Sequence, residues 1–249
     1  MTAIPAWPPK SAPRLFVTPE LSPGIQLEID GPQAHYLARV MRVAAGDVLI
    51  LCDDTTGEWA ARVVDAGKRS VLVEVAELLR LRKEVPDLWL CPALLKKDRF
   101  DLVLEKATEL GVAKIQPVVT RRCVADKLNP ERARQITVEA AEQCARTALP
   151  ELGEPIKLEA LLRDWPDGRT LLFADEQGGE PAASVFAATG APAALLIGPE
   201  GGFDDAERAA IRGHPAARAI TLGPRILRGE TAAISAAALW MAVAGDWAK

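Results

Sequence analysis

The chain has 249 residues, 49% of them hydrophobic and 26% charged, with a formal net charge of −4. That balance excludes a largely disordered chain, and the acidic total gives no sign of a nucleic-acid partner, although local basic patches matter more than totals. Cys52, Cys91, Cys123 and Cys144 form no CxxC pair, and His35 and His214 are the only histidines. A metal site is therefore not expected, and reduced, mostly buried thiols in a cytosolic protein are.

Residues 1–13 ("MTAIPAWPPKSAP") hold four prolines and no apolar run, so they read as a loosely draped leader and not as a secretory signal. Residues 14–79 are rich in short β-branched segments: "RLFV", "IQLEI", "DVLILCD", "EWAARVVDA" and "SVLVEVAEL", each bounded by Gly, Pro, Asp or Ser. One helical pattern, "PQAHYLARVMRV", lies between them. The spacing predicts a small β-barrel with one helix, and the close succession of strands disfavours parallel crossovers. Residues 80–86, polar and charged, read as a linker.

From residue 87 to 249 the rhythm becomes strand, helix, strand, helix. "DLWLCPALL" precedes "DRFDLVLEKATELG", and "KIQPVVT" precedes "PERARQITVEAAEQCART". "RTLLFADE" precedes "PAASVFAAT", "AALLIGPEGG" precedes "DDAERAAIRG", and "ARAITLG" precedes "ETAAISAAALWMAVAGD". This predicts an α/β domain with a mainly parallel sheet covered on both faces. The final apolar run is Ala-rich and reads as a buried helix, too short to span a bilayer.

Ligands in open α/β sheets bind beyond the carboxyl ends of the strands. Three consecutive strands here end in glycine-bearing turns: "ADEQGGE", "GPEGGF" and "LGPRILRGETA". No GxxxxGK[ST] occurs, and the first α/β turn, "LLKKDRF", has no glycine, so neither a phosphate loop nor a standard dinucleotide site is expected. Gly198, Gly201 and Gly202 suit either a tight reversal with Glu200 solvated or close backbone approach to a ligand. Ile226 and Leu227 could wall an adenine-sized pocket. Arg228 could face a ligand or sit in a surface ion pair, with Glu230 or Thr231 capping the last helix. His35, among apolar neighbours in a helical pattern, and His214, in a turn, read as structural.

These stretches, with "HYLARVMRVAAGD", "KKDRFDLVLEKATELGVAKIQPVVTRRC" and "ERARQITVEAAEQCARTALPEL", resemble the RsmE family of 16S ribosomal RNA uridine-N3 methyltransferases, of the SPOUT (trefoil-knot) superfamily. The likeness covers nearly everything after the leader. It departs at Gly229, where the family pattern has Thr, and at Leu15, where an aromatic is common; the leader is an addition.

The resemblance implies a PUA-like N-terminal barrel, a knotted C-terminal domain, S-adenosylmethionine as cofactor, a homodimer and 16S rRNA of the small subunit as partner, with no membrane and no metal. Carried onto this sequence, the cofactor-binding residues are Gly198, Pro199, Glu200, Gly201, Gly202, Leu222, Gly223, Ile226, Leu227, Arg228 and Thr231, with Phe173 and Ala174 as a third wall. Arg228 is expected to stabilise the uracil anion, and Glu230 or Glu200 to accept the N3 proton. Arg14, Arg39, Arg42, Lys96, Lys97, Arg99, Arg121 and Arg122 are the candidates for holding RNA. A SPOUT enzyme acting on another nucleotide, or a non-catalytic RNA-binding protein of the same fold, are the rival expectations.

Overall fold

The structure is a computed structural model that describes residues 7–9 and 11–248. Residues 1–6 and 10 of the expected leader lie outside the described residues. Of the remainder, Trp7 donates from its indole to Glu77 and lies 4.4 Å beneath the Arg62 guanidinium. Contacts divide the chain into two units. One holds the residues up to Glu84 together with Ala141–Ala148; the other holds Val85–Ala140 and the residues from Leu149 onward.

The first unit contains β1 (Arg14–Phe16), β2 (Gln26–Ile29), α1 (Gly31–His35) running on into a π-helical turn (Tyr36–Met41), β3 (Val48–Cys52), β4 (Gly57–Ala66) and β5 (Val71–Leu81). They form one five-stranded sheet in the order β1-β3-β4-β5-β2. Val71, Val73 and Val75 are all buried, as are Leu49 and Leu51, so the period-two pattern builds the core with Leu37 from the helical segment. One expectation is corrected here. β1 pairs with β3 in parallel, Arg14 opposite Ile50, because residues 17–47 supply the crossover that adjacent strands could not. Arg80 and Leu81, assigned to the linker from sequence, are the last residues of β5. His35, expected to be structural, is exposed.

Asp53 organises the β3–β4 turn. Its carboxylate accepts from the amides of Leu21, Thr55 and Thr56 and from the Thr56 hydroxyl, at 2.6–2.9 Å. Burial pushes its pKa up, but these donors outweigh burial and hold it below the usual value.

From residue 88 the chain runs β6 (Leu88–Pro92), α2 (Lys97–Glu109), β7 (Lys114–Ile115), β8 (Val118–Val119), α3 (Pro130–Cys144), β9 (Glu151–Leu152), β10 (Ile156–Lys157), α4 (Leu158–Arg163), β11 (Thr170–Ala174), β12 (Glu180–Pro181), α5 (Ala182–Thr189), β13 (Ala193–Ile197), α6 (Asp205–Gly213), β14 (Ala217–Thr221) and α7 (Gly229–Val243), the predicted strand and helix rhythm with short strands added; the last residues of α3, from Ala141, belong to the first unit. The seven-stranded sheet, β12-β14-β11-β13-β6-β7-β9, is parallel throughout. "KIQPVVT" is not one strand but two. Pro117 lacks the amide a ladder needs, and the chain leaves the sheet there so that β8 pairs with β10. α4 was not foreseen.

Every residue of β13 is buried, the mark of a central parallel strand covered on both faces. Leu195 and Ile197 join α2, α5 and α7 on one face, while Ala194 and Leu196 join α4 and α6 on the other. The run Gly229–Ala248 is long and apolar enough to cross a membrane by length and composition. In the fold, however, Ala233, Ala236, Ala237, Trp240 and Met241 of α7 have essentially no exposure and fill the core of the second unit. Small alanines let α7 lie close to its neighbours. Burial pushes the Cys52 and Cys91 thiols up to about 12, whereas Cys144 is exposed.

Candidate functional site

β11 lies between β13 and β14, so the carboxyl ends of three strands emerge side by side. The three glycine-bearing turns thereby meet around one pocket of about 750 Å³, open mouth included. Ala174, Asp175 and Glu176 supply one wall. Gly198, Pro199, Gly202 and Phe203 supply the second, and Leu222, Gly223, Ile226 and Leu227 the third.

The second wall is braced on every side. Asp204 caps α6: it accepts from the Glu207 amide at 2.8 Å while the Glu207 carboxylate takes the Asp204 amide at 3.1 Å. The Glu207 amide, and then Arg121, hold the Asp204 carboxyl below its usual pKa. Arg122 donates to the Gly201 carbonyl at 2.8 Å and Arg208 to the Phe203 carbonyl at 3.3 Å. Gly202 has φ +66, and a Cβ there would lie 2.5 Å from a carboxylate oxygen of Glu176. Only glycine meets both conditions without displacing Glu176.

Beneath this wall sits a charged network. Asp175, whose side chain is wholly buried, is paired with both Arg208 and Arg212. Arg208 reaches Glu176 as well, at 3.0 Å. Taking these charges out of water is tolerated because each is met by an opposite one.

The third wall is the opposite in character. Ile226 is 88% exposed although it lines the pocket. The amides of Arg225, Ile226 and Leu227 have no hydrogen-bond partner among the described residues. An apolar side chain and open backbone donors around a concave site suit a ligand with an apolar ring and polar edges. Gly229, the departure from the family pattern, is buried: a Cβ there would stand 2.9 Å from Leu95 and 3.3 Å from the Gly198 carbonyl. The helix start is close-packed at this point.

The structure brings together Ala174, Gly198, Pro199, Gly202, Leu222, Gly223, Ile226 and Leu227 from the residues expected at the cofactor site. Phe173 is not among them: side chains alternate along β11, so Phe173 enters the core with α4 and α6 while Ala174 faces the pocket side. Glu200, Gly201, Arg228 and Thr231 are exposed and lie outside the lining. The Arg228 guanidinium has no partner among the described residues, which removes the surface ion pair as its explanation. Glu230 is differently placed: Arg99 donates to its Oε1 at 2.5 Å, and its Oε2 is buried without a partner.

The expected RNA contacts separate likewise. Arg14 is bound to the buried carboxylate of Glu58, which Arg80 also reaches. Arg99 is paired with Glu230, Arg121 with Asp204, and Arg122 with loop carbonyls. These four are held by the protein itself. Arg39, Arg42, Lys96 and Lys97 are exposed. His214 packs edge-on to Trp165 and accepts the Ala216 amide, a structural role as expected. Sequence reasoning missed Asp175, Glu176, Arg208 and Arg225. The signal present was a carboxylate pair directly after an apolar strand, and arginines four apart on one helix.

A parallel α/β domain with a glycine-walled pocket at its carboxyl edge, joined to a small β-rich unit, is the class these observations define. Family models agree. One described as an RNA methyltransferase domain matches residues 82–241, and one described as an RNA methyltransferase PUA domain matches residues 29–76. Ribosomal RNA small subunit methyltransferase E of Rickettsia conorii is 31% identical over 229 residues, 90% of this chain and 93% of that protein. The protein of that name from Synechocystis is 32% identical, over 88% of this chain and 74% of its own. Among solved structures, ribosomal RNA small subunit methyltransferase E of Neisseria gonorrhoeae, bound to S-adenosylmethionine, superposes with a TM-score of 0.86 at 28% identity, covering 95% of this chain and 99% of that one. A Legionella pneumophila protein in complex with the same cofactor gives 0.82 at 32% identity, covering 94% and 99%. The chain belongs to the ribosomal RNA small subunit methyltransferase E family.

Proposed function

We propose that this chain transfers the methyl group of S-adenosylmethionine to N3 of one uridine in the decoding region of 16S rRNA, acting on the assembled small subunit. The observation that carries this is the pocket itself. Its exposed Ile226 and open amides at Arg225, Ile226 and Leu227 fit an adenine ring and its polar edge, and Arg228 stands unpaired beside it. When bound, the cofactor supplies an electrophilic methyl group on sulfur.

The chain must then supply orientation and handle charge and a proton. Uracil N3 is a poor nucleophile until its proton leaves, and the resulting charge spreads over O2 and O4. Arg228, a fixed planar cation with no partner among the described residues, would offset that charge. Glu230 is an unsuitable acceptor, since one oxygen holds Arg99 and the other is buried. Glu200, exposed at the turn after β13, is the better candidate, directly or through water.

The PUA-like unit, with Arg39 and Arg42 exposed on and beside its π-helical turn, and Lys96 and Lys97 at the start of α2 are proposed to meet RNA phosphates. Binding should then weaken steeply as salt rises. A homodimer, a cytoplasmic location and the family's trefoil knot belong to the same reading. The boundaries 14–79 and 87–249 remain proposals for the functional domains.

The deciding experiment offers labelled S-adenosylmethionine with small subunits, large subunits or naked RNA lacking the modification, followed by digestion to the labelled base. Label at N3 of one small-subunit uridine is expected; label on another base would discard the N3 assignment. Arg228→Ala should lower kcat by about 10²–10³-fold with an unchanged fold, the range seen when a transition-state charge loses a fixed donor. Near-normal turnover would remove Arg228 from the mechanism.

A further inference from the structure

Among the charged side chains lining the pocket, opposite charges mostly satisfy each other. Asp175 is doubly paired, and Arg208 is held by Asp175 and Glu176. Two lining charges keep unused capacity. Glu176 gives only Oε1 to Arg208; its Oε2 has no hydrogen-bond partner among the described residues, and its side chain is 43% exposed. Arg225, exposed on the third wall, has neither an ion pair nor a hydrogen bond among the described residues.

One free carboxylate oxygen and one free guanidinium in a single pocket match a zwitterion. A guanidinium presents a planar fork suited to a carboxylate, and a carboxylate oxygen anchored on one side is an oriented acceptor for an ammonium group. The adenine-sized apolar wall around Ile226 has no use for either charge. The amino-acid end of S-adenosylmethionine carries both complementary groups.

We propose that Glu176 takes the α-ammonium, and Arg225 the α-carboxylate, of the methionine moiety of S-adenosylmethionine. This rests on the proposed cofactor reading and assigns its polar end. Gly202 serves the same arrangement, because a Cβ at that position would fall on the Glu176 carboxylate. The glycine of "GPEGG" thus keeps in place a carboxylate that belongs to a different turn.

The test is calorimetric binding by the full-length protein of three nucleosides: S-adenosylhomocysteine, decarboxylated S-adenosylmethionine and 5′-methylthioadenosine. The first carries both charged groups, the second keeps the amine and adds a sulfonium but has no carboxylate, and the third has neither, so each probe is compared with itself between wild type and variant. Arg225→Gln should weaken S-adenosylhomocysteine roughly ten- to a hundredfold, the loss of a charge-assisted hydrogen bond, and leave the other two unchanged. Glu176→Gln should weaken the first two and spare 5′-methylthioadenosine. Glu176→Asp, which keeps the charge but shortens the reach, should fall between wild type and Glu176→Gln.

Equal losses for all three nucleosides would show a merely structural effect and overturn the assignment, as would no loss for any. If Arg225→Gln instead left every nucleoside unchanged but flattened the salt dependence of subunit binding, the guanidinium would belong to an RNA phosphate and its half of the proposal would fall. Failure of the wild-type protein to bind any of the three would count against the cofactor reading itself, a result separable from all of these.

Discussion

Two turns of the same pocket, after β13 and after β14, solve opposite problems. The turn at 198–204 is fastened by Arg122 to the Gly201 carbonyl, by Arg208 to the Phe203 carbonyl, and by the reciprocal cap of Asp204 and Glu207. The turn at 222–228 is tied only at its start, where the Thr221 hydroxyl meets the Gly223 backbone at 3.3 Å; beyond it Ile226 faces solvent, and the Arg225 and Arg228 guanidiniums have no partner among the described residues. One wall is formed before any ligand arrives. The other offers apolar surface and open donors whose partners must come with the ligand. Preorganising one side lowers the ordering cost of binding, while the open side leaves a route in.

The largest expected effect lies under the fastened wall. Arg208→Ala would strand the buried Asp175 with Arg212 alone and release Glu176 and the Phe203 carbonyl. Because Asp175 keeps the two donors of Arg212, the cost is that of an under-satisfied buried carboxylate, about 1–3 kcal/mol, to be read from denaturant unfolding. A loss below 1 kcal/mol, as is usual for exposed pairs, would show that the network is not a structural support.

Arg122→Ala tests whether the fastening serves the ligand. Cofactor affinity should fall about tenfold, the cost of losing donors of a charged group, with the salt slope of RNA binding unchanged. The reverse pattern would return Arg122 to the RNA-binding set. The smallest effect on stability is expected on the open wall. Ile226→Ser should change unfolding free energy by no more than about 0.5 kcal/mol, since the side chain is already in water. It should still weaken binding of 5′-methylthioadenosine, because the apolar cover is lost. If stability fell while binding held, the comparison between the two walls would be wrong.

Much of this is legible in the sequence. Apolar runs followed by Gly198 and Gly223, and the switch from short β-rich segments to alternating strands and helices, placed a parallel sheet and a pocket at its carboxyl edge. Local chemistry was enough, because strand burial and glycine turns are properties of neighbouring residues. The β1–β3 pairing, the split of "KIQPVVT" at Pro117 and the inward turn of Phe173 were not legible, since register and side-chain direction depend on strands distant in sequence.

By itself, then, the sequence determined the class of fold, the family and which turns would line the pocket. Only the tertiary structure decided which charges are free. Arg14, Arg99, Arg121 and Arg122 look like Arg39, Arg42, Arg225 and Arg228 along the chain, yet the first four are held by Glu58, Glu230, Asp204 and the Gly201 carbonyl. A guanidinium is available to a substrate or satisfied by the protein according to what stands within about 3 Å of it, and those partners lie from 44 to 131 residues away in sequence.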